Sequence, residues 1–204
     1  MVEKIHWLGH ASFFIDSDLA KIYIDPYQIK KTSPQADIIL ITHEHFDHFS
    51  PEDIKKIAKS DTILVGPRTI LGKTNYSTKV MSPGEKLKLK NIEIEGVYAY
   101  NVNKNFHPKK NEYLGFLITI EGTRIYHAGD TDLIPEMKNI KADIVLLPVG
   151  GTYTMNAKEA AEAVKLLNPK IAIPMHWGSI VGSQKDAEEF KKLCKCEVKI
   201  LTKE

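Results

Sequence analysis

The sequence predicts an α/β fold of two β-rich halves with helices on the outside. Its first quarter is a series of short strand-like segments joined by turns, which predicts a meander. Two continuous apolar runs, 36–41 and 142–147, are typical of strands covered on both faces, and each leads into a polar loop and then a helix. The length of 204 residues fits one large domain, 1–204, better than two small ones.

The first half of the chain alternates short apolar segments with turns. Ser50 and Pro51 predict the start of a helix, because serine caps a helix N-terminus and proline suits the first helical position. Glu121 and Gly122 predict a hairpin turn between two strands. The strands expected in this half are 4–8, 12–15, 21–24, 36–41, 62–65, 86–89, 92–98, 114–120 and 124–126.

The second half alternates strands with helices, beginning with the buried strand at 142–147. Asn156 predicts the cap of a helix that runs to about residue 167. The later elements are expected to be a strand at 170–174, a helix at 186–192 and a strand at 197–201. The longest polar stretch of the chain, 101–112, is expected to be a loop rather than a domain boundary, and long loops in compact domains are often functional.

The composition is that of a soluble globular protein, with 43% hydrophobic and 26% charged residues. A net charge of +2 gives no reason to expect nucleic acid as a partner. No apolar run approaches the roughly 18 residues of a membrane span, and the N-terminus enters a strand pattern without a signal-peptide core. We therefore expect a cytoplasmic protein with no membrane contact, in which Cys194 and Cys196 are reduced thiols.

The strongest chemical signal is residues 43–48, which read His-Glu-His-Phe-Asp-His directly after a predicted strand. In a helix, His43 and His45 would lie about 200° apart and would not share an ion. In a loop that leaves a strand end they can point the same way, while Asp47 and His48 turn towards a second position. Imidazole and carboxylate are ligands that zinc prefers in proteins, so the run predicts a metal site.

At this point the chain resembles the metallo-β-lactamase superfamily, whose hallmark is an H-x-H-x-D-H motif matched by residues 43–48. Three further elements occur in the order found in that superfamily. Asp25 matches an aspartate that ends an early strand, and residues 129–131 match a later Gly-Asp-Thr. His176 matches a final histidine at the end of a late strand. The resemblance therefore covers nearly the whole chain.

Two further runs, 7–12 and 126–131, resemble the small UlaG-like branch of lactonase-type members. The resemblance implies a four-layer αββα sandwich with a metal site at one edge between the two sheets. It also implies the ligands: His43 and His45 for the first metal, Asp47, His48 and His176 for the second, and Asp130 as a bridge. A carboxylate suits the shared position because it has one oxygen for each ion. Asp25 would accept a hydrogen bond from a ligand imidazole and fix its tautomer.

The third ligand of the first metal is where the sequence departs from the superfamily pattern. His107 is the only histidine between His48 and His127, but it lies in the irregular polar loop. Asn101, directly after a predicted strand, is the alternative. We favour His107, because imidazole binds a borderline divalent ion better than a neutral amide does.

The remaining histidines and aromatic residues carry weaker expectations. His10, in a turn that can reach the site edge, is a candidate proton donor or substrate contact, with a structural role as the alternative. His6 is expected to be structural. His127 is expected on the same strand as Asp130 and pointing to the opposite side, and Trp177 and Tyr153 either wall a pocket or simply pack.

Together these features predict a metal-dependent hydrolase with two divalent ions, zinc first and manganese or iron as alternatives. A metal-bound hydroxide would attack a small-molecule ester, lactone or phosphodiester, and Asp47 would orient this nucleophile or accept the proton that the metal-bound water loses. The alternatives are a nuclease of the same superfamily and a non-catalytic metal-binding protein. A flavo-di-iron type of redox activity is not expected, because those relatives carry glutamate where this chain has His45. The oligomeric state is left open.

Overall fold

Two β-sheets packed face to face form the centre of the fold in the computed structural model, which describes residues 1–204. The first sheet contains, in spatial order, β1 (Ile5–Gly9), β2 (Ser12–Asp16), β3 (Lys21–Ile24), β4 (Ala36–Leu40), β5 (Ala58–Gly66) and β6 (Ser77–Val80). The second contains β7 (Lys86–Leu89), β8 (Ile92–Tyr98), β9 (Leu114–Ile120), β10 (Thr123–His127), β11 (Ile144–Pro148), β12 (Ile171–Met175) and β13 (Glu197–Val198).

Helices cover the outer face of each sheet. The helices are α1 (Pro51–Ile57), α2 (Ala157–Leu167) and α3 (Gln184–Leu193), with short 3₁₀ turns at Val2–Lys4, Arg68–Ile70, Lys109–Asn111 and Pro135–Asn139. Helix α1 packs on the first sheet, and α2 and α3 pack on the second. The structure therefore confirms the four-layer αββα sandwich. No helix has the length and apolar character needed to cross a bilayer.

Strand β4 shows why the apolar run at 36–41 is continuous. Ile38 and Leu40 face the core between the sheets, whereas Ile39 and Ile41 join the cluster under α1. All four side chains are fully buried. A strand covered on both faces has no solvent side, so the polar alternation of a half-exposed strand is absent.

The two sheets share one pattern of strand pairing, which supports the prediction of two similar halves. In the first sheet β1 to β3 pair antiparallel and β3 to β6 pair parallel. In the second, β7 to β10 pair antiparallel and β10 to β13 pair parallel. Each half therefore presents the carboxyl ends of parallel strands, where ligands bind in open α/β sheets.

The observed elements differ from the expected ones by one additional strand and two strand bounds. Strand β6 was not predicted, because its side chains are mostly exposed and its sequence, Ser-Thr-Lys-Val, has no apolar alternation. Strand β5 begins at Ala58, directly after α1, rather than at 62. Strand β13 ends at Val198, because the chain then leaves the second sheet and Glu204 donates its backbone N–H to Trp7 in the first.

Candidate metal centre

Four chain segments that follow strand ends meet in one cluster. The loop after β4 carries the motif at 43–48, and the loop after β8 carries His107. Asp130 lies three residues beyond the end of β10, and His176 follows β12 directly. The structure therefore brings together the seven side chains that the sequence analysis selected as metal ligands: His43, His45, Asp47, His48, His107, Asp130 and His176.

The first group of candidate ligands contains three histidines. One ring nitrogen from each of His43, His45 and His107 lies within 4.8 Å of the others. The Nε2 atom of His43 is 3.0 Å from Nδ1 of His45. Burial lowers the pKa of His107 to about 4, so its ring is neutral at physiological pH and keeps a lone pair for a metal ion.

The second group contains Asp47, His48 and His176, together with His10. Nε2 of His48 lies 3.6 Å from Oδ2 of Asp47. Nε2 of His10 lies 2.9 Å from the same oxygen, and the His10 ring is 4.0 Å from the His176 ring between centroids. His10 thus lies behind the candidate ligands, with 1% of its surface exposed.

Asp130 lies between the two groups and faces both of them. Its Oδ1 is 3.4 Å from Nε2 of His48, and its Oδ2 is 3.1 Å from Nε2 of His176 and 3.3 Å from Nε2 of His107. Burial alone would raise the pKa of the Asp130 carboxyl, but His176 and His48 outweigh that effect and hold it well below its usual range. A buried carboxylate in this position can contribute one oxygen to each of two ions.

The cluster fits metal ions because its buried polar atoms lack other partners. Nε2 of His48, His107 and His176 and Oδ1 of Asp130 make no hydrogen bond. Unpaired buried polar atoms are costly, so each requires an explanation such as an ion. Imidazole and carboxylate together suit zinc, manganese and iron.

Asp25 and Thr42 fix the tautomers of two of these histidines. Asp25, fully buried, accepts hydrogen bonds from the Thr42 backbone N–H at 2.8 Å and the Thr42 hydroxyl at 2.6 Å. The same carboxylate lies 2.7 Å from Nδ1 of His48, which must donate to it. Because the Thr42 hydroxyl gives its proton to Asp25, it accepts from Nδ1 of His43 at 2.9 Å. Both imidazoles therefore present an unprotonated Nε2 when uncharged.

The neighbouring carboxylates also change the pKa of His48. Burial alone would lower the pKa of His48, but Asp130 and Asp25 outweigh burial and hold it well above its usual value. Burial lowers the pKa of His43 well below the usual value, the neighbouring His48 lowers it further, and the Asp130 carboxylate opposes them only in part. A metal ion at the second position would displace a proton from His48.

The loop that carries His107 is held by two buried polar side chains. The Asn101 amide oxygen accepts the His107 backbone N–H at 2.9 Å and lies 3.1 Å from its Nδ1. Asp132 accepts backbone N–H bonds from Val102 and Asn103 and an ion pair from Lys104 at 2.6 Å. Since the Asn101 oxygen is already engaged by His107, the geometry favours His107 over Asn101 as the ligand.

Three residues of the cluster adopt left-handed backbone conformations directly after strands or in a tight turn. The φ angles are 52° at His10, 46° at Asp25 and 59° at His176. Gly150 packs against this last turn, and a Cβ there would lie only 2.4 Å from the carbonyl oxygen of His176. These conformations aim the three side chains into the cluster.

The other expectations about single residues had mixed outcomes. Strand β10 ends at His127, so His127 and Asp130 do not share a strand as expected. The His127 ring contacts the backbone oxygen of Ala11 at 2.9 Å rather than a candidate ligand. Trp177 stacks on Trp7 and packs rather than lining the cavity. His6 lies 2.8 Å from the Glu204 carboxylate, in keeping with a structural role.

Three residues that the sequence did not identify hold the candidate ligands in place without being candidate ligands themselves. Thr42 immediately precedes the motif, and Asp132 follows the Gly-Asp-Thr run by one position. Tyr113 packs its ring 5.0 Å from that of His43 and donates its hydroxyl to Glu44 at 2.9 Å. The adjacency of Thr42 and Asp132 to the motifs was the available signal, whereas nothing local marks Tyr113.

A cavity of about 290 Å³ opens beside the cluster. The candidate ligands His45, Asp47, His107 and Asp130 form one side of it. Phe46, Phe106, Tyr153 and Ile180 complete the lining. Tyr153 thus lines the cavity, which was one of its two expected roles.

Comparisons of this chain with known proteins all indicate the same family. A model of the β-lactamase superfamily domain matches residues 4–176. A UPF0173 protein of Pyrococcus furiosus is 37% identical over 98% of this chain and 95% of its own, and a UPF0173 metal-dependent hydrolase of Archaeoglobus fulgidus is 33% identical over 95% and 91%.

A solved structure from Parabacteroides distasonis superposes with a TM-score of 0.88 at 36% identity, covering 97% of this chain and 93% of that chain. The agreement extends over nearly the full length of both proteins. The chain belongs to the metallo-β-lactamase superfamily and is one of its metal-dependent hydrolases.

Proposed function

We propose that this hydrolase uses two divalent ions, held at the two groups of ligands and shared through Asp130. His43, His45 and His107 would hold the first ion, and Asp47, His48 and His176 the second. The observation that carries the proposal is the position of Asp130, whose two oxygens lie 3.1–3.4 Å from ligand nitrogens of both groups. Zinc is the proposed metal, with manganese or iron as alternatives for the same donor atoms.

Two such ions would supply a water of near-neutral pKa and positive charge for the developing oxyanion. The protein's own contribution is to orient the ligands and to hold protons in place. Asp47 accepts a hydrogen bond from Nε2 of His10 at Oδ2 and, besides holding the second ion, would orient the nucleophile or accept its proton. We propose that His10 positions Asp47, because His10 is buried and does not line the cavity.

The proposed reaction is hydrolysis of a small-molecule ester, lactone or phosphodiester. A cavity of about 290 Å³ beside the ligands supports catalysis rather than metal storage. No lysine or arginine lines that cavity, which gives no support to a nuclease that must hold several phosphates.

We further propose that residues 1–204 form one domain, which is supported by the core shared between the two sheets. We also propose a cytoplasmic location, which is supported by the free thiols of Cys194 and Cys196.

Metal analysis and a hydrolysis screen on one preparation test the proposal. We expect two divalent ions per chain, hydrolysis of at least one ester, lactone or phosphodiester, and loss of that activity on chelation with recovery on adding zinc. Asp130→Ala should lower both the metal content and the rate, because it removes the shared ligand. Asp53→Asn, which changes a buried carboxylate in the first turn of α1, is the matched control. A protein that binds no metal after reconstitution would refute the proposal.

A further inference from the structure

The cavity wall formed by Phe46, Phe106, Tyr153 and Ile180, which are not candidate ligands, is mostly apolar and open to solvent. Phe46 is 67% exposed, Phe106 49% and Ile180 40%. The ring of Phe106 packs edge-on against that of Tyr153, with 4.7 Å between the centroids. Single exposed apolar side chains are ordinary, but a contiguous group beside a polar cluster indicates a surface that binds something.

The cavity lining provides no cation for a substrate that carries an anionic group beside these apolar side chains. No lysine or arginine lines it, and its charged lining residues are the carboxylates Asp47 and Asp130. The nearby ammonium group of Lys104 is engaged by Asp132 at 2.6 Å. A carboxylate or phosphate placed against Phe106 and Ile180 would therefore lose part of its hydration and gain no cation in return.

We propose, on the basis of the two-ion hydrolase described above, that the substrate is an uncharged carboxylic ester or lactone with a small apolar acyl group. The reacting carbonyl would lie at the ligands, and the acyl group would lie against Phe46, Phe106, Tyr153 and Ile180. The volume of about 290 Å³ is at the lower end of ligand sites, which run from about 300 to 1,000 Å³, so the acyl group is short.

The kinetic test compares two esters with the same leaving group and acyl length, 4-nitrophenyl pentanoate and mono-4-nitrophenyl glutarate. We expect kcat/KM of the zinc-loaded protein to favour the pentanoate roughly tenfold, since the glutarate would place a carboxylate without a counter-ion against the apolar lining. Ile180→Lys should reduce or invert this preference by supplying the missing cation. Leu166→Lys, at a similarly exposed site on α2, should leave the preference unchanged.

A binding test without metal keeps the inference independent of catalysis. The metal-free protein is titrated with 4-methylbenzyl alcohol and, separately, with 4-(hydroxymethyl)benzoate, and the Ile180 methyl signals are followed by NMR. We expect only the uncharged probe to shift them. Metal-dependent hydrolysis that favours the glutarate or bis(4-nitrophenyl) phosphate would overturn the substrate class and leave the two-ion hydrolase standing. Equal shifts with both probes would also overturn it, and absence of any metal-dependent hydrolysis would refute the hydrolase itself.

Discussion

Replacing Asp25 by asparagine should disturb both metal positions through the tautomers of their histidines. The native carboxylate accepts three hydrogen bonds: the backbone N–H and the hydroxyl of Thr42, and Nδ1–H of His48. An asparagine that keeps its oxygen on the Thr42 N–H turns its NH₂ group towards the hydroxyl and His48. His48 must then accept at Nδ1 and carry its proton on Nε2, the atom that faces Asp47 and Asp130. The Thr42 hydroxyl turns to donate to His43, whose Nε2 is then also protonated.

The opposite orientation of the amide is no better. It places the NH₂ group against the Thr42 N–H and leaves a buried donor unpaired, at a cost of about 1–3 kcal/mol. Losing such an orienting partner typically lowers metal affinity about 10- to 100-fold, or about 1.4–2.7 kcal/mol. We expect a loss in this range at each position, although no proposed ligand has been changed.

The assay is a titration of metal-free protein with zinc against a chelating dye, with circular dichroism to confirm folding. Asp53→Asn is the matched control, because that carboxylate accepts two backbone N–H bonds near α1 and contacts no proposed ligand. Thr42→Val separates the two positions, since it removes the hydroxyl that orients His43 and leaves the His48 bond to Asp25 in place. If Asp25→Asn binds both ions as tightly as Asp53→Asn does, the tautomer argument is wrong.

Three further predictions concern the loop, a surface carboxylate and a helix cap. In the dye titration, His107→Ala should lower the zinc affinity of one site about 10- to 100-fold and that of the other site much less. Asn101→Ala should lower the affinity of the same site by a smaller factor, because it removes only the side chain that holds His107. Asp37 should stabilise the fold at neutral pH, because its pKa is lowered in the folded state. Burial would raise this pKa, but hydrogen bonds from the Lys21 N–H and from the Lys59 and Lys90 ammonium groups outweigh burial. Urea unfolding should therefore show Asp37→Asn less stable by about 1–2 kcal/mol at pH 7, with the difference shrinking as pH falls below about 4. Asn156→Ala should cost about 1 kcal/mol in the same assay, because it removes both side-chain caps at the start of α2.

Much of the fold was predictable because periodicity and local capping decide it. The buried runs at 36–41 and 142–147 became β4 and β11, and Asn156 begins α2 with a full capping box. Strand β6 was missed because parallel pairing with β5, rather than its own side chains, makes it a strand. Local pattern carries no information about such pairing.

The candidate ligands were predictable to the extent that they lie in motifs. Residues 43–48 concentrate metal-binding side chains, so their chemistry is visible in one short segment. The position of His107 depends on contacts with Asn101 and the neighbouring Asp132 network, and the cavity wall unites Phe46, Tyr153 and Ile180 from three distant segments. Only the folded chain brings such groups together.

The left-handed backbone at His10, Asp25 and His176 has a consequence for how this protein would respond to selection. For residues other than glycine that conformation costs about 1–2 kcal/mol each, so the metal-free chain carries strain that its function requires. Laboratory evolution for heat resistance in the presence of a chelator should therefore enrich glycine or asparagine at positions 10 and 176. The same selection in the presence of zinc should retain histidine at 176, because bound metal would stabilise the native state by more than the relieved strain. Thermal resistance and metal binding would then demand different residues at the same positions.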